Sequence, residues 1–117
     1  MKAYTSLEQS KKLAEILPLE SADMHYSKDF DGSWFVDLAK YTSVKIPKYV
    51  GNIEEHLLPC WSLAALLGVL PDIHLKKYTY DGITKYYATL IGIRQFNSNH
   101  YDNPVDACYE MILNIRT

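Results

Sequence analysis

Apolar residues recur along this chain with changing periods, and each change of period marks a change of element. Leu13, Ile16 and Leu17, joined by Ala14, fall at helical spacing while Lys11, Lys12 and Glu15 face away. Thr5 with Glu8 forms a capping box, in which hydroxyl and carboxylate each satisfy an orphan amide, and Pro18 stops the run. The pattern predicts a first helix over 6–17.

From Ser21 to Ala39 the period falls to two. Ala22, Met24 and Tyr26 alternate with Asp23, His25 and Ser27, and after the turn-rich segment 28–33 the alternation resumes as Trp34, Val36 and Leu38, which predicts a hairpin. Val44 and Ile46 hint at a short edge strand. A second helix is expected to enter at Pro59, since a first-turn proline lacks only an orphan amide, and to end at Gly68 and Pro71. Its residues from Cys60 to Leu70 are apolar on nearly every side, which predicts burial all round.

Asp81-Gly82 sits between two runs rich in Tyr, Thr, Ile and Leu, the dipeptide that a type I′ hairpin turn wants. Pairing about it sets Tyr80 opposite Ile83, Tyr78 opposite Lys85, Lys76 opposite Tyr87 and His74 opposite Thr89, all on one face. Ile73, Leu75, Ala88 and Leu90 fall on the other, expected to be the core side. Asp102-Asn103-Pro104-Val105-Asp106 then reads as a helix start, followed by a stripe of Val105, Cys108, Met111, Ile112 and Ile115. The order α-β-β-α-β-β-α predicts one α+β domain over residues 1–117. Two hairpins give an antiparallel sheet of about four strands, covered by three helices.

Three segments taken together, Ser21-Ala22-Asp23-Met24, 59–67 and 103–111, carry a resemblance. The chain resembles a family of small proteins of unknown function encoded by gut Bacteroidetes and their prophages and mobile elements. The similarity runs from about Leu7 to Ile115. It implies a genomic setting and brings no catalytic residue or ligand with it.

Composition narrows the function classes. Net charge is −2 over 117 residues, so no overall basic field draws the protein to nucleic acid or an anionic membrane. The N-terminus lacks the apolar stretch of a signal peptide, and a cytoplasmic location is expected. Cys60 and Cys108 form no CxxC pair and lie in apolar stretches, where the unreactive thiol is favoured. His25, His56, His74 and His100 show no ligand spacing, and Asp23 with His25 supplies at most two ligands, so no metal is expected. Asp29, Asp31 and Gly32 resemble part of a calcium loop but lack the closing glutamate. The five glycines are isolated, which excludes dinucleotide and P-loop fingerprints, and no cofactor is expected.

What remains is tyrosine: ten of the fifteen aromatic residues. Tyr78, Tyr80 and Tyr87 interleave with Lys76 and Lys85 on the solvent-side face of the second hairpin, and these five residues form the candidate contact surface. The expectation is a non-enzymatic cytoplasmic binding or regulatory module acting on an unknown protein partner or on itself, and the resemblance implies a mobile-element accessory. Two alternatives stand beside it. One is a weak single-stranded nucleic-acid-binding domain using the same face, with a local charge of about +3 over 76–94. The other is a small enzyme of unknown reaction.

Overall fold

A computed structural model describes residues 1–43, 56–91 and 96–116. Along them run α1 (Leu7–Ala14), β1 (Met24–Lys28), β2 (Trp34–Asp37), β3 (Leu57–Cys60), α2 (Leu63–Val69), β4 (Ile73–Tyr80), β5 (Ile83–Leu90), β6 (Phe96–Asn97) and α3 (Pro104–Arg116). The architecture is α+β, as the pattern predicts. The strands form two antiparallel three-stranded sheets, β2-β1-β3 and β4-β5-β6, which corrects the expected single sheet of about four strands. The first hairpin takes its third strand from residues 57–60, expected to lead into a helix, and the second from Phe96–Asn97, for which the pattern predicts no element, so neither has to pair with the other. The edge strand expected at Val44 and Ile46 lies outside the described residues.

Helix α1 is capped one residue later than expected. Ser6 Oγ accepts from the Gln9 amide at 3.2 Å, and Gln9 Oε1 accepts from the Ser6 amide at 3.0 Å, so the box is Ser-x-x-Gln. Thr5 is instead buried. Its Oγ1 accepts the Trp61 amide at 3.2 Å and lies 2.8 Å from Ser10 Oγ. The hydroxyl that looks like a cap in sequence ties the N-terminal segment to the core.

The second helix needs a larger correction. Residues 57–60 are strand: Pro59 pairs with His25 and Cys60 with Met24. Strand β3 lies at the edge of its sheet, where a residue without an N–H is tolerated. Helix α2 begins only after Ser62, whose Oγ accepts from the Ala65 amide while Asp23 accepts from the Ser62 amide at 2.9 Å and from its hydroxyl. With seven residues the helix shows one face to the core. Leu66 is fully buried, whereas Leu67 is 40% exposed, so the expectation of burial on every side fails.

Helix α3 joins the two halves. Asn103 caps it, with Oδ1 accepting from the Asp106 amide at 2.9 Å and Nδ2 donating to Asp106 Oδ2 at 2.8 Å, and Pro104 follows in the first turn. Val105, Cys108 and Ile112 pack with Leu13, Leu17, Trp61 and Leu66 in one cluster. Ala107 and Met111 pack with Ala88 in a second, with Ile73, Leu75 and Leu90 against it. The predicted core face of the second hairpin is therefore the face that α3 covers. Lys2 closes the N-terminal end of this assembly, donating to Gln9 Oε1 at 2.7 Å and Asp106 Oδ1 at 2.8 Å.

The β4–β5 hairpin has the register read from its turn, including Tyr80 with Ile83 and Lys76 with Tyr87. Asp81 and Gly82 both have positive φ, 53° and 79°, as a type I′ turn requires. Every residue from Lys76 to Ile83 is exposed.

Candidate interaction surface

The type I′ turn and its two-residue period put Lys76, Tyr78 and Tyr80 of β4 on one face with Lys85 and Tyr87 of β5. The structure adds His100 to them. The Tyr87 ring stacks on the His100 imidazole, with centroids 4.5 Å apart and planes 12° from parallel. Tyr78 stands edge-on to both rings, 6.2 Å from Tyr87 and 5.3 Å from His100, and its Oη lies 2.6 Å from His100 Nδ1. Lys76 Nζ lies 5.8 Å over the Tyr87 ring, within reach of its quadrupole. Tyr80 is 78% exposed, farther along the strand and outside this aromatic group, and Lys85 is half-buried.

His100 is held from behind. Tyr101 and Tyr86 exchange backbone hydrogen bonds of 2.8 and 2.7 Å, and Ser98 donates its amide to Ala88 O at 2.8 Å while its Oγ accepts from the Ala88 amide. The Glu110 carboxylate of α3 accepts from the Asn99 side chain at 2.7 Å and from its amide. The segment on either side of His100 is thus bonded both to the sheet and to α3. Nothing in the sequence points to this histidine. It lies 13 positions beyond Tyr87, and only the return of the chain along β5 brings the two together.

Other parts of the molecule offer less. Cys60 and Cys108 are free and fully buried. Burial raises the Cys60 thiol above its ordinary value against the opposing hydrogen bonds from Thr5 and Ser10, and burial alone pushes Cys108 up to about 11. Both thiols therefore stay protonated near neutrality, and the thiolate is the nucleophilic form. Tyr26, beside Cys60, is also raised, first by burial and then by the neighbouring Cys60 and Tyr4. Its hydroxyl donates to the Thr5 carbonyl at 2.7 Å.

Among the described residues, no group of three His, Cys, Asp or Glu side chains could hold a metal ion. A cleft of about 390 Å³ between α1 and β3 is lined by Ala14, Tyr41, Leu57 and Pro59, with Lys11 and Glu15 at its rim. Those two charges are engaged in exposed ion pairs with Glu8 and Lys12 along α1. Phe30 and Leu38 are exposed near the ends of the β1–β2 hairpin, as single apolar residues on a protein surface commonly are. No described helix is long and apolar enough to cross a membrane.

Comparison of the chain with protein-family models, with curated proteins and with solved structures finds no match in any of the three.

Proposed function

We propose that this chain is a non-enzymatic cytoplasmic binding module that works by protein–protein contact or self-association through the tyrosine–lysine face of the β4–β5 hairpin. The observation that carries the reading is the group of Tyr78, Tyr87 and His100, interlocked at the base of a hairpin end whose residues from Lys76 to Ile83 are all exposed. Tyrosine combines a large apolar area with a polar tip and is enriched at protein interfaces. Rings already fixed by their neighbours lose less side-chain entropy on contact, so more of the contact energy appears as affinity. Lys76 and Lys85 supply a charged rim. The resemblance to proteins of mobile elements would make such a module an accessory or regulatory component.

A single-stranded nucleic acid could stack on the same rings. His100 already occupies one face of Tyr87, which removes a stacking platform, and nucleic-acid binding would weaken steeply with salt, whereas a protein contact need not.

The test is the double variant Tyr78→Ser with Tyr87→Ser, compared with the parent by thermal unfolding, size-exclusion chromatography and a salt titration of oligonucleotide binding. Because both side chains lie outside the α3-covered core, the variant should lose only about 1–2 kcal/mol of stability while association falls about tenfold or more. A collapsed midpoint would make these tyrosines structural supports. Unchanged association would leave an ordinary solvated sheet face, and salt-sensitive oligonucleotide binding lost in the variant would favour the nucleic-acid reading.

A further inference from the structure

Strand β4 forms one edge of its sheet, and among the described residues no strand pairs with its outer side. On β5, the Tyr86 and Ala88 amides and carbonyls point away from β4, toward Tyr101 and Ser98. Their partners across the ladder are Lys77 and Leu75. In an antiparallel ladder, such facing residues direct their amides and carbonyls outward on both strands, so on β4 Leu75, Lys77 and Thr79 present theirs to the free edge. From Lys76 to Tyr80 every side chain around them is exposed.

Resting on the reading of this hairpin as a contact surface, we infer that its occupant is a second copy of the chain. The copy pairs antiparallel along the β4 edge about a two-fold axis at Tyr78, joining two three-stranded sheets into one of six strands. Charge and register select this arrangement. A two-fold pairing that uses the outward groups must be centred on a residue of β4. Centring on Lys76 or Lys77 sets a lysine against its own copy, which is destabilising. Centring on Leu75 places Lys76 against His74, and centring there or at Ile73 or His74, nearer the start of the strand, leaves Tyr80 unpaired. Centring on Thr79 overlaps only residues 78–80 before the turn.

Centring on Tyr78 pairs residues 76–80 of each strand. Lys76 faces Tyr80 of the second copy, a cation–π pair made twice by symmetry, and Tyr78 faces Tyr78 of the second copy at the axis. Lys77 faces Thr79 of the second copy, with Asp81 and Lys77 of that copy on its two diagonals, farther away than a directly opposed lysine pair would be. The two Lys77–Thr79 pairs supply about four main-chain hydrogen bonds. Tyr80, 78% exposed in the single chain, becomes covered. The aromatic groups of the two copies, Tyr78, Tyr87 and His100, become continuous across the axis.

Sedimentation of the full chain at about 100 μM should give a dimer, a concentration at which an interaction of micromolar Kd is largely formed. Lys77→Pro should be a monomer with its hairpin intact, because the amide it removes points out of the sheet. Tyr78→Cys should form a disulfide-linked dimer under mild oxidation, since the two Cα atoms at the axis lie close enough to bridge. Lys77→Cys should not, because its two copies fall beyond the roughly 7 Å limit.

A monomeric parent overturns the inference, as does a dimer in which Lys77→Cys links and Tyr78→Cys does not. Should Lys77→Pro fail to fold, the cysteine pair decides alone. A dimer lost in Tyr78→Ser with Tyr87→Ser but kept in folded Lys77→Pro, with Tyr78→Cys unlinked, rejects the edge pairing and retains the tyrosine face as the contact surface. Loss of the edge pairing and an unaffected association in the double serine variant would reject both.

Discussion

Leu66→Ala should lower the unfolding free energy by about 2–5 kcal/mol, whereas Leu67→Ala, one residue along the same helix, should cost under about 1 kcal/mol. Leu66 is fully buried, in the cluster that joins α1, α2 and α3 through Leu13, Trp61, Val105 and Cys108. Truncating it leaves a cavity among side chains that are themselves close-packed and can collapse only in part. Leu67 faces outward and already meets water in the folded protein, so its truncation removes little buried surface. Urea unfolding of both variants measures the contrast. Equal losses would mean that α2 is sunk in the core on every side, as its composition alone implies.

Asp106→Asn should cost about 1–2 kcal/mol near neutral pH, because the carboxylate is the centre of a partly buried clasp that is still open to solvent screening. It accepts from Lys2 at 2.8 Å, from Gln9 Nε2 at 2.7 Å and from Asn103 Nδ2 at 2.8 Å, tying the N-terminal segment and α1 to the start of α3. Burial opposes its ionisation, but the hydrogen bonds from Lys2, Asn103 and Gln9 outweigh burial and hold the carboxyl below the ordinary carboxylate range. A depressed folded-state value means that the unfolded chain binds the proton first. The stabilisation is therefore complete above the ordinary carboxylate value, near pH 4, and is lost as pH falls through the lower folded value. Thermal midpoints measured between pH 7 and pH 3 should fall more steeply on the acid side for the parent than for Asp106→Asn, in which the group no longer titrates. Parallel curves would show that Asp106 is not the seat of this dependence.

The parts legible in sequence were those set by local stereochemistry. Asp81-Gly82 fixes both turn type and register, so the pairing of Tyr78 with Lys85 and of Lys76 with Tyr87 follows without tertiary information. Asn103-Pro104 with Asp106 marks the start of α3 for the same reason. The parts that the sequence pattern leaves undecided are those that burial decides. Thr5-x-x-Glu8 and Ser6-x-x-Gln9 are overlapping capping boxes, and only the engagement of Thr5 by Trp61 selects the second. The apolar run from Leu57 fits a buried strand as well as a helix, and periodicity cannot separate the two over so few residues. It divides at Ser62 because the Asp23 carboxylate holds that residue as the cap. Which strands share a sheet, and that His100 lies against Tyr87, depend on long-range chain return. No spacing in the sequence encodes either.

Amide hydrogen exchange of the unmodified chain at two concentrations tests most directly whether the hairpin is where this protein makes contact with another copy of itself. In the single chain the Tyr78 and Tyr80 amides are bonded to β5, while those of Lys77 and Thr79 face the open edge and exchange readily. Raising the concentration should slow exchange at Lys77 and Thr79 by about tenfold or more, once most chains are paired, because their amides acquire partners in the second copy. Exchange at those two amides that stays fast and independent of concentration would contradict it.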